Sequence, residues 1–316
     1  MPMERADPRP LPSPGLGERA DRALKACLGA LSDTLSRHET ALLGGESGET
    51  LHDYRVAVRR IRSLLGQFDA VFTERRVRRF QEEFARLARL TSPARDLEVC
   101  VAGFWGGESA LEPACRLLEA RLETARAHLL RHVGAVRHRR FMASWRRFLA
   151  TPTPRRPGQS LARVAIGALA ARKVCKLRKR AVRQGSAIGP QSPPEDLHAL
   201  RKTCKKLRYV LEFYRGLAPS EKIDRLVRDL KALQEILGEY QDAAVHAALL
   251  HELADSLPRR TTPAETLLAL GARLERERLR QEQARAAFHK VFRHFAGDKD
   301  RARYRALFKS AISPAG

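Results

Sequence analysis

Residues 51–68, Leu51-His52-Asp53-Tyr54-Arg55-Val56-Ala57-Val58-Arg59-Arg60-Ile61-Arg62-Ser63-Leu64-Leu65-Gly66-Gln67-Phe68, carry two patterns at once. At about 100° per residue, His52, Arg55, Arg59 and Arg62 fall within an arc of about 80°, while Tyr54, Ile61, Leu65 and Phe68 fall within a separate arc of about 60°. The stretch therefore predicts a helix that buries an apolar stripe and presents a cationic one beside it. Sliding the chain against itself by 146 positions brings residues 197–214, LHALRKTCKKLRYVLEFY, into register without a gap. His198, Arg201, Lys205 and Arg208 repeat the cationic stripe, and Leu207, Leu211 and Tyr214 repeat the apolar one. Arg60 and Lys206 are also equivalent, but lie off the stripe on the helical projection.

The repeat extends well beyond this pair. The same shift aligns Phe84, Leu87 and Leu90 with Leu230, Leu233 and Ile236, and Asp96 and Val99 with Asp242 and Val245. One inserted residue then matches Phe141, Trp145 and Phe148 to Phe288, Phe292 and Phe295. A unit of about a hundred residues is too long for a solenoid repeat and large enough to enclose a core of its own. Spacings of three and four dominate, with few β-branched alternations, so the expected class is all-α. Helices are predicted near 18–43, 51–72, 74–91, 109–132, 137–150, 160–184, 195–216, 219–237, 241–256, 262–296 and 301–312. The expected architecture is two repeated helical bundles, each of about four main helices, related by a pseudo-twofold axis. The chain divides into a proline-rich flexible tail (1–17), a first half (18–150), a linker (151–159) and a second half (160–316).

The 316 residues include 60 Lys plus Arg against 36 Asp plus Glu, a formal net charge of +24, which points to an anionic partner. Of the basic residues 48 are Arg and 12 are Lys, a balance that favours forked contacts to phosphate oxygens. No run approaches the roughly 18 apolar residues of a membrane span, and the amino-terminal stretch lacks the apolar core of a signal peptide, so a cytoplasmic location is expected. Five cysteines, an odd number without a C-x-x-C pair, predict free thiols, with neither a disulfide framework nor a thiolate metal site. No metal and no cofactor are expected.

The paired helices HDYRVAVRRIR and HALRKTCKKLR are each followed some forty residues later by an Asp-containing segment, ARDLEV or YQDAAV. Together they resemble the CHAD family, the conserved histidine α-helical domain, over about residues 20–312. The resemblance implies two bundles around a pseudo-twofold axis, with a basic central groove or pore that binds inorganic polyphosphate and associates with polyphosphate granules. Carried over by position, the implied binding residues are His52, Arg55, Arg59, Arg60, Arg62, His198, Arg201, Lys205, Lys206 and Arg208. Further contacts are expected from Arg75, Arg76 and Arg79, from Lys173 and Lys176, and from Lys222, Arg225 and Arg228. In some relatives the domain is fused to a phosphohydrolase with an E-x-E-x-K strand. Here the nearest string, Glu275-Arg276-Glu277-Arg278-Leu279, lacks the Lys and reads as a solvated helix face.

The chemistry is consistent with that expectation. Polyphosphate has no bases, so its site needs successive cations and no stacking platforms, and aromatics are only 6% of this chain and fall on apolar faces. An architectural nucleic-acid binder that uses phosphate contacts alone is the first alternative. A metal-dependent phosphohydrolase is the second, weakened because Asp53 is replaced by Ala199 in the other copy and because His128/His132 and His246/His251 have no acidic partners in the repeat. A non-catalytic binder is the favoured reading. His52 and His198 read either as anion contacts or as spacers at the helix start. Asp96 and Asp242, after Pro93 and Gly238, read as helix-start carboxylates or as groups that orient a neighbouring Arg.

Overall fold

The computed structural model describes residues 12–46, 48–72, 74–104, 109–153, 160–258 and 260–308. Most of the expected tail, residues 154–159 of the linker, the end of the last predicted helix and the side chain of Arg76 lie outside the described residues. The elements are α1 (Ala20–Leu43), α2 (Glu49–Gln67), α3 (Glu74–Phe104), α4 (Glu112–Val133), α5 (Val136–Ala150), α6 (Ile166–Ser186), α7 (Pro194–Leu217), α8 (Glu221–Ser256), α9 (Ala264–Ala296) and α10 (Asp298–Phe308), with short 3-10 turns after α2, before α4 and before α6. The protein is all-α, and among the described residues there is no β-strand, only a bridge between Arg19 and Ala165.

Element order follows the sequence repeat. Shifted by 146, the bounds of α1, α2 and α3 fall on those of α6, α7 and α8 to within a few residues. In the first half the next span breaks at Gly134 into α4 and α5, whereas its counterpart runs on as the single helix α9. The local signals are ordinary ones. Pro194 opens α7 with Glu195 and Asp196 in the first turn, and Ser220 caps α8 by accepting from the Lys222 backbone N–H at 3.2 Å. Gly48, at φ +67°, precedes α2, a conformation that a side chain would strain.

Each repeat is long enough to enclose a core of its own, yet the interior is one contiguous apolar cluster reaching from Ala20 to Phe308, and a smaller cluster also mixes the halves, with Leu111, Ala114 and Leu118 against Leu250, Leu253 and Leu270. The physical reason is that α2 packs directly on α7, so the apolar stripes of both repeats merge. Breaks were expected at Pro93 and Gly238, yet α3 and α8 are each continuous through them. Buried Leu87 and Ala94 hold one face of α3 on both sides of Pro93, and the hydroxyls of Thr91 and Ser92 donate to the Ala88 carbonyl at 3.1 and 3.0 Å. Tertiary packing there outweighs the missing proline N–H. Asp96 and Asp242 consequently sit within helices, and the helix-start reading of them falls.

The aromatic residues aligned by the repeat are core. Trp145 is fully buried, 5.0 Å from the rings of both Phe80 and Phe84, and Phe288 stacks on Phe292 at 5.5 Å. At the start of α1 and α6, the Ala20 N–H donates to Val164 at 3.0 Å and the Ile166 N–H donates to Glu18 at 2.8 Å. The donors are 146 residues apart, and so are the acceptors.

Candidate anion-binding site

The site is built on α2 and α7. Their apolar faces are buried through Leu51, Tyr54, Ile61 and Leu65 on α2 and through Leu197, Cys204, Leu207 and Leu211 on α7, which fixes the rotation of each helix. Phe68, just past α2, meets Phe213 of α7 with ring centroids 5.4 Å apart. His52, Arg55, Arg59, Arg60, His198, Arg201, Lys205 and Arg208 are half-buried, while Arg62 and Lys206 are exposed.

Arg59 reaches from α2 towards α7. Its guanidinium lies 5.9 Å from the centroid of the Tyr209 ring, and that of Arg208 lies 5.3 Å from the same ring. Two cations, one from each repeat, thus share one aromatic residue that is itself buried. Burial pushes Lys205 down to about 7, and the charges of Arg201 and Arg59 push the same way, opposed by Asp242. Arg201 is lowered chiefly by burial, Asp242 opposes, and Arg59 adds to the fall. Arg59, Arg201, Lys205 and Arg208 therefore form one cationic cluster drawn from both repeats.

The two copies anchor their first arginine differently. Arg55 donates to the hydroxyls of Thr91 and Ser92, both at 3.0 Å. One repeat on, those positions are Leu237 and Gly238, which have no hydroxyl, and Arg201 instead turns to Asp242 at 3.5 Å. A Cβ on Gly238 would stand 4.0 Å from the Arg201 guanidinium, an ordinary contact, so the difference between the copies lies in the missing hydroxyl and not in close approach to a glycine. Arg55 is lowered by burial, with Asp96 as its main opposing charge. Desolvation raises Asp96, Arg55 opposes the rise, and Asp242 adds to it. The two carboxylates of the repeat are thus mutual neighbours, each beside the arginine of its own half, which matches the reading of them as orienting groups.

His198 Nδ1 donates to Gln241 Oε1 at 2.7 Å, which ties the ring to α8 and makes a bare cap role insufficient. With Nδ1 committed, Nε2 donates to an anion only when the ring is protonated. Of the further residues, Arg75 and Arg79 are exposed on α3, where with Arg78 and Glu82 they line a recess of about 340 Å³. Lys173 is half-buried and lowered by burial; Asp69 opposes, while Lys176 and Lys206 push it further down, so α6 adds cations beside α7. Lys176, Lys222, Arg225 and Arg228 are exposed. The positions that sequence reasoning missed are Tyr209, Thr91, Ser92 and Gln241. Only Gln241 carried a signal, being adjacent to the repeated Asp242.

Among the described residues no three His, Cys, Asp or Glu side chains come together in a group that could hold a metal ion. Glu275 and Arg278 are exposed and paired with each other at 2.8 Å. Among the described residues no helix is long and apolar enough to cross a membrane. The described cysteines are free thiols.

Comparison with known proteins agrees with this architecture. The solved CHAD domain from the plant Ricinus communis superposes with a TM-score of 0.68 at 24% identity, covering 95% of this chain and 97% of that one. PptA from Streptomyces chartreusis gives 0.64 at 20% identity, covering 87% and 99%. Both show a shared fold. The proteins MT2285 and Rv2226, from two strains of Mycobacterium tuberculosis, are 30% identical over 207 residues, 62% of this chain, and the match spans 39% of their own length. The CHAD domain family matches residues 26–251, which take in α2, α7 and nearly all of α8. The chain belongs to the CHAD domain family.

Proposed function

We propose that this protein binds inorganic polyphosphate, without hydrolysing it, along the cationic ridge where α2 and α7 face each other. The observation that carries the reading is the convergence of Arg59 with Arg201, Lys205 and Arg208, because two repeated basic helices that met only through apolar faces would hold their cations apart. Crowding like charges is unfavourable in the empty protein, and a polyanion relieves it on binding. The exchanged hydrogen bonds of Ala20 with Val164 and of Ile166 with Glu18 support a pseudo-twofold relation that would place the two ridges on a shared track. Aromatic residues at the ridge, Phe68, Tyr209, Phe213 and Tyr214, are buried and leave no platform for bases, which favours a bare phosphate polymer over single-stranded nucleic acid. Recruitment to polyphosphate granules is the cellular counterpart of this activity.

The test is a pair of double variants titrated with long-chain polyphosphate at fixed ionic strength. Arg59→Gln with Lys205→Gln should weaken binding by about tenfold or more, the scale of losing one or two charge-assisted contacts. Arg146→Gln with Arg147→Gln, at exposed positions on α5, should change it little. Equal losses would mean diffuse attraction to the whole surface. Displacement of bound polyphosphate by duplex DNA at comparable phosphate concentration would favour the nucleic-acid reading, and chain shortening with Mg²⁺ or Mn²⁺ would favour a hydrolase.

A further inference from the structure

A second basic cavity lies away from α2, between α6 and α10. It encloses about 730 Å³, and four of its lining side chains, Arg178, Lys179, Arg301 and Arg305, are cationic against the single carboxylate of Asp298. Among the described residues α10 has no helical counterpart in the first half, since the shift carries α5 onto the end of α9.

The floor is organised. The Arg178 guanidinium lies over the Tyr304 ring, 4.7 Å from its centroid, and Tyr304 is buried. Arg178 Nε and one Nη are shielded from solvent, so the guanidinium contributes positive charge to the floor of the cavity rather than open donors, and the buried Asp300 carboxylate feels that charge. Asp300, only 2% exposed, supplies a nearby counter-charge and lies 3.9 Å from Arg303. At the rim, Arg301 is 3.8 Å from Asp298, an exposed pair of little strength that an incoming anion can outbid. A guanidinium held in place by stacking, with three exposed cations, Lys179, Arg301 and Arg305, around the mouth, makes a strongly positive recess that suits an anion that is compact and multiply charged.

We propose that the α6/α10 cavity binds a triphosphoryl group, presented either by a short condensed phosphate or by a nucleoside triphosphate. The site does not depend on polyphosphate binding at α2 and α7. Cys175 lines the cavity and is half-buried, so its alkylation reports occupancy of this place and no other.

The experiment follows alkylation of Cys175 by iodoacetamide, read by peptide mass spectrometry, with sodium tripolyphosphate or ATP as the probe. Either probe should slow the reaction several-fold in the wild type. Arg301→Gln with Arg305→Gln, both at exposed positions and checked for unchanged melting, should shift the protecting concentration up by roughly tenfold. The Arg59→Gln, Lys205→Gln variant should keep full protection, which separates this site from the ridge. Stronger protection by tripolyphosphate assigns the condensed phosphate, and stronger protection by ATP assigns the nucleotide. Absence of protection by both probes, or protection undiminished in Arg301→Gln, Arg305→Gln, overturns the proposal.

Discussion

Lys205 is the residue at which stability and binding oppose each other. Its folded-state value, pushed down to about 7 by burial and by Arg201 and Arg59, lies below the ordinary lysine value it regains on unfolding. Between those two values the unfolded chain binds the extra proton, so stability rises with pH through that window and the penalty is fully present below pH 7. Lys205→Met should therefore raise the melting temperature at pH 6 to 7, by about 2–4 °C for each kcal/mol relieved, with the gain fading towards pH 10. The same variant should lose affinity for polyphosphate. In the wild type, a bound polyanion restores the lysine charge, so binding should take up protons and tighten as pH falls from 9 to 7, then level off. Calorimetric titration in two buffers of different ionisation enthalpy measures that uptake, and its absence would remove Lys205 from the site. The cationic positions were legible because the repeat printed them twice. Tyr209 was not, because one copy holds Ser63 at that position and nothing in a single aromatic residue announces that two arginines will lie against it. Thr91 and Ser92 were hidden for a similar reason: their counterparts are Leu237 and Gly238, so the repeat pattern discards them.

At the scale of helices, periodicity located α1, α4, α5, α7 and α9 closely and α2 and α6 more loosely at one end, but it overrated Pro93 and Gly238 as breaks. Local propensity favours a stop at each. What carries α3 and α8 through is a face buried on both sides of the weak point, information that resides in the partner helices. The reverse happens at Gly134, where the break between α4 and α5 has no equivalent in α9. Close helix contact also makes one glycine indispensable. A Cβ on Gly185 of α6 would sit 2.0 Å from the Phe292 ring of α9, an overlap that neither a buried ring nor two packed helices can absorb. Gly185→Ala should lower stability by about 1–3 kcal/mol or more in a denaturant titration, despite the better helix propensity of alanine. Gly271→Ala, where nothing lies within 4 Å, should be neutral or slightly stabilising, which isolates packing as the cause.

For the whole molecule, the single apolar interior has a thermodynamic corollary. Because α2 and α7 merge the two halves, heating should produce one calorimetric transition with matching van't Hoff and calorimetric enthalpies. Two resolved peaks would mean that the halves are separable after all. Net charge of +24 also governs how binding responds to salt. If six to eight phosphates are neutralised, log affinity should fall against log salt with a slope of roughly −4 to −6, taking single-stranded nucleic acid as the guide. Arg59→Gln with Lys205→Gln should flatten that slope as well as weaken binding.

The clasp at the start of α1 and α6 joins positions one repeat apart, and each side both gives and receives a bond. Two detached copies of one half could make the same reciprocal pair with each other, but such a union would dissolve on dilution. Carried on one polypeptide, the mating surfaces meet at an effective concentration set by the tether rather than by expression level. The opposed arginines thus stay assembled however few molecules a cell makes.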